Sequence, residues 1–315
     1  MRLLSLVSLI GGELKNSPAI STITGFTSHP ATVKRGALFF AKDKSQVSDA
    51  IANGAYAIVY EGWIQRSDEE IAWIKVDSLL AAVQKLIRFL LIKNQAYIIT
   101  LSPLGLELAQ IVIQDEKIAF FRDSYFDFLE QYHTQEFVAA PKEFALQLAL
   151  DSTQSPIATI KVIQERLFET SFIYRGKFYA RQRISPLFLQ EFQEVLGLID
   201  MYNFFFDFYH LKDFPHFRPH FLERDFTECE FGTSDRVIIT EPDITLLPRE
   251  SIFLQEKAPW AQLLFFCFSC NLKTFDTIKI DGVKNFLYNR RFNYALCEEF
   301  DVETLAKQQQ QKTLF

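Results

Sequence analysis

Between residues 37 and 100 the chain alternates short, unbroken apolar runs with helical patterns, and this feature limits its fold more than any other. The runs are Ala37-Leu38-Phe39-Phe40-Ala41, Ala55-Tyr56-Ala57-Ile58-Val59-Tyr60, Ala72-Trp73-Ile74-Lys75-Val76 and Ala96-Tyr97-Ile98-Ile99-Thr100. Each has the length of a strand, and runs this apolar suit strands buried on both faces. A helix is expected over 45–52, ending at Asn53-Gly54. Another is expected over 79–92, capped by Asp77-Ser78. Strands alternating with helices imply an α/β fold with a largely parallel sheet.

The start of the chain could imitate a signal peptide, but it has one charge, a very short apolar core and no small-x-small cleavage site. Leu3, Leu6, Val7 and Ile10 share one helical face, and Gly11-Gly12 stops the helix. It reads as the first helix of a folded domain. The longest uncharged apolar stretch, 258–272, is shorter than the roughly 18 residues a spanning helix needs.

Further along, Phe168, Thr170, Phe172 and Tyr174 alternate with other positions, Arg175-Gly176 can turn, and 178–184 returns, which predicts a β-hairpin. Ser185-Pro186 reads as N-cap and first residue of a helix running to Ile199. Strands are expected at 236–240, 263–268 and 293–297, with a helix over 249–257. The Gln-rich end, 306–315, is expected to be a mobile tail.

Composition narrows the function. The 315 residues carry a net charge of −6, which opposes a general nucleic-acid surface but leaves room for a local patch. Four cysteines do not make a disulfide framework in a chain this long, and a cytoplasmic, reducing setting fits. The 33 phenylalanines argue for a bulky core or a codon bias.

Three segments carry a resemblance. Leu9-Ile10-Gly11-Gly12-Glu13-Leu14 comes first. Val33-Lys34-Arg35-Gly36-Ala37-Leu38-Phe39-Phe40-Ala41 is similar to V-K-P-G-D-L-F-V-A. Residues 49–59, with Ala50-Ile51 and Gly54-Ala55, are similar to A-I-x-x-G-A-x-A-V-V. In order and spacing they resemble the UDP-sugar-binding domain of the Mur ligases, nearest the D-Ala-D-Ala-adding branch. Those enzymes extend the peptidoglycan precursor UDP-N-acetylmuramic acid with amino acids, using ATP. The resemblance continues faintly to about residue 300, through Ile98-Ile99-Thr100, the hairpin, and Val237-Ile238-Ile239-Thr240-Glu241-Pro242-Asp243 to Pro248. It implies a three-part α/β chain: an N-terminal UDP-sugar-binding-like domain (1–92), a shortened central domain (93–213), a C-terminal α/β domain (214–305) and a tail (306–315).

The motifs that carry the family's chemistry are missing. A phosphate loop needs small residues, a lysine and a hydroxyl for magnesium. Thr100 is followed instead by Leu101-Ser102-Pro103-Leu104-Gly105-Leu106-Glu107, and the sequence contains no G-K-T or G-K-S. The H-N-x-x-N element is lost at 186–190, the D-S-R signature reads His29-Pro30-Ala31, and no D-G-H follows Ala41. The expected function is therefore a catalytically degenerate Mur-ligase-like protein, without a nucleotide cofactor or catalytic residues. Its role would be binding or regulation near peptidoglycan precursor metabolism, with a UDP-MurNAc-peptide or related ligand. The rival is a working UDP-MurNAc-tripeptide D-alanyl-D-alanine ligase.

Other clusters have plainer readings. His210, His216 and His220, with Asp213 and Cys229, suggest a metal, but Pro215 and Pro219 forbid a regular helix, and a Phe/Pro-rich loop with half-buried imidazoles accounts for them better. Cys267-Phe268-Ser269-Cys270 is a lone C-x-x-C, read as a core strand with apolar thiols rather than a redox or zinc pair. Arg175, Lys177, Arg181 and Arg183 make a basic hairpin, read as a solvated face rather than an anion site. The tail is sharper. Gln311-Lys312-Thr313-Leu314-Phe315 resembles the Q-x-[SD]-L-F peptide that docks bacterial replication and repair proteins on the DNA sliding clamp. Gln311, Leu314 and Phe315 would make the contact, and a clamp-associated accessory protein is the third reading.

Overall fold

The computed structural model describes residues 1–307. Two compact units divide the chain. One holds residues 1–156 and 197–205, and the other holds 157–196 and the residues from 206 onward.

The first unit contains two sheets. In the five-stranded sheet the spatial order is Glu13–Leu14, Ala72–Val76, Ala57–Glu61, Ala37–Phe40, Gly25–Thr27. All neighbours are parallel except the short first strand, which runs antiparallel to Ala72–Val76. The apolar runs are explained by burial on both faces. Leu38, Phe40, Val59 and Ile74 face one cluster with Leu6 and Leu86. Phe39, Ile58 and Trp73 face another with Ala50. The first helix, Leu3–Ile10, buries Leu3, Leu6, Val7 and Ile10, as its periodicity predicts. Gly11 ends it at φ +69°, a left-handed conformation that favours glycine.

The second sheet of this unit is parallel, in the order Ile118–Phe120, Phe137–Ala140, Tyr97–Thr100, Thr153–Gln154. The larger apolar cluster continues into it through Ile98, Phe128, Val138 and Phe144. Residue 92, where a domain break was expected, thus separates two sheets that share one core. Residue 213, the second expected break, lies inside the second unit.

The second unit also has two sheets. The expected hairpin is present as Thr170–Tyr174 and Lys177–Gln182. Its turn residues, Arg175 and Gly176, both have positive φ (+49° and +73°), the geometry of tight hairpins whose twist matches the strands. A third strand, Lys161–Glu165, pairs antiparallel with it and is exposed along its whole length, so no apolar alternation betrays it. Ser185 caps the turn Pro186–Phe188, which leads into the helix Leu189–Tyr202, of which residues 189–196 belong to this unit. The five-stranded sheet runs Arg218–Phe221, Val237–Glu241, Tyr294–Glu298, Leu263–Cys267, Asp276–Thr277, parallel but for its first member. Pro219 is tolerated because Arg218–Phe221 is an edge strand. The segment read as a histidine-bearing loop is therefore partly strand.

Cys267 and Cys270 form a disulfide, which corrects the expectation of free apolar thiols in a core strand. The strand ends at Cys267, so the chain bends back and brings the two sulfurs together. No helix of the described residues is long and apolar enough to cross a membrane.

Candidate functional site

In an open parallel sheet, ligands gather outside the carboxyl ends of the strands. At that edge of the N-terminal sheet, the segments after Phe40 and Glu61 border a concavity of about 550 Å³, lined by Lys44, Val47, Ser48, Trp63, Gln65 and others. Trp63 is 77% exposed, an open aromatic face in a unit that hides its other tryptophan, Trp73. Two carboxylates nearby are committed to the fold. Asp43 accepts the Ser45 N–H at 2.9 Å, and that hydrogen bond lowers its pKa. Glu61 accepts the Leu79 N–H at 3.1 Å, at the start of the helix Leu79–Lys93. Lys44 is thus the ionisable group among the concavity's lining residues.

The loop after Gly25–Thr27 holds His29-Pro30-Ala31, where the resemblance expects an arginine. Here the loop is tied inward. Glu130, from the helix Tyr125–Gln131, accepts hydrogen bonds from Thr27 Oγ1 (2.6 Å), the Ser28 amide and Thr32 Oγ1 (3.1 Å). His29 Nε2 lies 3.2 Å from Asp127 Oδ1. The loop itself satisfies the Glu130 carboxylate.

The strand Tyr97–Thr100 is joined to the helix Pro103–Val112 by two residues, Leu101 and Ser102. Leu101 is buried, and its N–H donates to the Ala140 carbonyl at 3.2 Å. Ser102 Oγ accepts the Gly105 N–H at 3.1 Å, and the Ser102 carbonyl accepts the Leu106 N–H at 2.8 Å. Pro103, at the first helical position, has no N–H. An anion cradle needs several N–H groups turned outward on a longer loop. This turn instead spends them on its own cap.

Sequence reasoning missed a buried acid cluster in the second unit. Glu241, at the carboxyl end of Val237–Glu241, is fully buried. It meets His216 Nδ1 at 2.6 Å and accepts the N–H groups of Phe217 (3.0 Å) and Asp243 (2.8 Å). Glu250, on the helix Leu247–Lys257, is equally buried, and neither of its carboxyl oxygens has a hydrogen-bond partner of normal geometry. Burial first, then the neighbouring Glu241, push its pKa up to about 11, so it is neutral at physiological pH. Burial likewise raises the Cys297 thiol, with Glu298 and Glu250 adding to it. The visible signal was an acid closing an otherwise apolar strand, Val237-Ile238-Ile239-Thr240-Glu241.

The histidines do not converge. His216 is buried on Glu241 rather than half-buried in a loop. His220 lies between Glu228 (3.1 Å) and Thr240 (3.1 Å), and burial lowers its pKa against the pull of Glu228. His210 faces Asp213 at 3.4 Å. Among the described residues no group of three or more His, Cys, Asp or Glu is placed to hold a metal. In the basic hairpin, Arg181 and Arg183 pair with the buried Glu169 at 3.0 and 3.5 Å, while Arg175 and Lys177 lie over the rings of Tyr174 and Tyr179. Gln311, Leu314 and Phe315 lie outside the described residues.

No protein-family model and no curated protein sequence matches the chain. Solved structures do. MurF from Acinetobacter baumannii superposes with a TM-score of 0.56 at 9% identity, over 99% of both chains. MurF ligase from Thermotoga maritima, solved with ADP, gives 0.56 at 11% identity, over 91% of this chain and 98% of that one. A second A. baumannii structure, of UDP-N-acetylmuramoylalanyl-D-glutamyl-2,6-diaminopimelate--D-alanyl-D-alanyl ligase, gives 0.53 at 10% identity, over 99% and 98%. The chain therefore has a mixed α/β fold of the Mur-ligase kind.

Proposed function

We propose that the chain is a cytoplasmic binding protein built on the Mur-ligase fold, one that recognises a peptidoglycan-precursor-type ligand but does not ligate amino acids at the expense of ATP. The observation that carries this is the closed connection between Thr100 and Pro103, where the resemblance would place a phosphate loop. With no lysine in the connection, the Ser102 hydroxyl turned to the Gly105 N–H and no open N–H cradle, the triphosphate has little to hold its charge. Support for a retained UDP-sugar-peptide site comes from the similarity of residues 9–59 and from the concavity beside Trp63. The test is calorimetry with UDP-MurNAc-pentapeptide and with Mg-ATP. The expected result is saturable binding of the former and none of the latter at millimolar concentration. Phosphate release that depends on added D-Ala-D-Ala would establish the rival reading, an active ligase.

A second reading rests on the last five residues alone. If Gln311-Lys312-Thr313-Leu314-Phe315 docks on a sliding clamp, a peptide with this ending binds in the micromolar range, about −8 kcal/mol. Leu314 and Phe315 would supply most of it by leaving water for an apolar pocket. Leu314→Ala with Phe315→Ala is expected to abolish binding at unchanged melting temperature, and Gln311→Ala to weaken it less. Full affinity in the double variant would discard this reading.

A further inference from the structure

The amino edge of the C-terminal sheet is unlike the rest of this acidic chain. Arg236 precedes Val237–Glu241, Gln262 precedes Leu263–Cys267, Asn293 precedes Tyr294–Glu298, and Arg290 and Arg291 follow the helix Val283–Tyr288. Together with Arg224 these residues border a concavity of about 950 Å³, on the side of the sheet away from Glu241 and Glu298. Four guanidinium groups line it against two carboxylates, Glu223 and Asp235. The whole chain, by contrast, has a net charge of −6.

The arginines play different parts. Arg236 is fixed. Its guanidinium lies over the rings of Phe226 and Phe292, at 4.3 and 4.7 Å from their centres, and donates to the carbonyls of Arg224 (3.3 Å) and Leu287 (3.4 Å). Arg290 lies over Phe286 and reaches Asp276 only at 3.8 Å, an exposed and weak pair. Among the described residues, no carboxylate lies within ion-pair distance of Arg224 or Arg291, and both are exposed. On the same wall Tyr288 is 73% exposed. Exposed guanidinium forks beside an exposed ring match a phosphodiester backbone that also offers a base face.

We propose that this concavity binds single-stranded nucleic acid, with Arg224, Arg290 and Arg291 on phosphates and Tyr288 stacked on a base. The site is independent of the ligase-fold reading and of the tail. An acidic peptide would satisfy the arginines but not the ring, and a duplex would hide its base faces from Tyr288.

The test is fluorescence anisotropy of a labelled oligothymidine of about twelve nucleotides with the full chain. Three phosphate contacts predict a log–log salt slope near −2, hence roughly a twenty-fold loss of affinity between 50 and 200 mM salt. Arg224→Ser with Arg291→Ser is expected to weaken binding at least tenfold and to flatten the slope to about −0.7, at unchanged melting temperature. Tyr288→Ala is expected to cost about five- to tenfold with the slope kept. Arg175→Ser with Lys177→Ser, on the hairpin, should leave binding unchanged. No binding by the intact chain at 50 mM salt overturns the proposal, as does an unaltered slope in the double arginine variant. Equal competition by a polyglutamate peptide reduces the surface to a general anion patch, and equal competition by free ATP reduces it to a nucleotide site. Either result overturns it too.

Discussion

Glu250→Gln is expected to stabilise the protein, and to do so more at pH 9 than at pH 5. The Glu250 side chain has no exposed surface, and its carboxyl oxygens lack normal hydrogen-bond partners. In the folded chain it keeps its proton up to about pH 11; in the unfolded chain it loses the proton near the ordinary glutamate value of 4.5. Above pH 4.5 the unfolded state therefore binds fewer protons than the folded one, and stability falls as pH rises until the folded group ionises as well. The slope is about 1.4 kcal/mol for each pH unit that separates the two titrations. Glutamine keeps the shape and the donor while removing the titration. The variant should lose this slope, gaining on the order of 2–4 kcal/mol over the wild type by neutral pH. In a unit of this size that is a rise of several degrees, at roughly 2–4 °C per kcal/mol. Melting curves at pH 5, 7 and 9 read it directly, and a gap between variant and wild type that stays constant with pH would refute the buried neutral acid.

A natural sequence that keeps so expensive a group raises the question of what the group does. Glu250 sits beside Glu241, and Glu241 already takes His216 and two backbone N–H groups. If Glu250 ionised, two carboxylates would share one dry site. Its neutrality is what lets Glu241 serve the turn that follows Val237–Glu241. Arg249, the adjacent cation, pulls the other way, but burial and Glu241 outweigh it, and it is itself held by Glu191 at 2.7 Å. The sequence marks Glu241 as an acid closing an apolar strand, but the pairing with Glu250 is not readable from it. The acids are nine residues apart, on a strand and a helix, and only the packing of Leu247–Lys257 onto the sheet brings them together.

The parts that were legible are those where one local rule decides. Leu3, Leu6, Val7 and Ile10 fall on one face and are buried there. Ser78 and Ser185 sit before apolar periodic segments, and each caps as expected. Arg175-Gly176 turns the hairpin. Residues 113–152 carry weaker signals. Their strands, Ile118–Phe120 and Phe137–Ala140, are three and four residues long, and their helices Tyr125–Gln131 and Lys142–Gln147 span under two turns. Short elements hold together through tertiary packing, here the ring cluster of Phe121, Tyr125, Phe128 and Phe144. The cluster also gives structural work to the unusual phenylalanine content. The proposal that no phosphate loop is present rests on a different kind of signal: packing cannot supply a lysine or a glycine cradle that residues 100–107 do not contain.

Trp73→Ala is expected to cost the first unit roughly 3–5 kcal/mol, the largest loss from any single truncation in its N-terminal sheet. Trp73 is fully buried in the strand Ala72–Val76, second from one edge of the sheet, opposite Ile58 in register, and meets Tyr60 edge-on at 6.3 Å. It lies in the smaller of the unit's two apolar clusters, where few neighbours can collapse into the space an indole leaves. Its Nε1–H also donates to the Asp68 carbonyl at 2.6 Å, so truncation orphans an acceptor as well as opening a cavity. That bond anchors the end of the segment 61–68, which carries Trp63 and one wall of the concavity proposed above as the ligand site. Two variants separate the roles. Trp73→Phe keeps a ring but not the donor, and should cost about 1–2 kcal/mol by the acceptor term. Trp73→Ala should add the cavity and lower the urea midpoint of the unit much further. Both should weaken UDP-MurNAc-pentapeptide binding below their unfolding midpoints if the Asp68 anchor shapes the concavity. If Trp73→Ala unfolds within 1 kcal/mol of the wild type, or if Trp73→Phe binds the ligand as tightly as the native chain, the indole is filler rather than the post on which that edge of the sheet is hung.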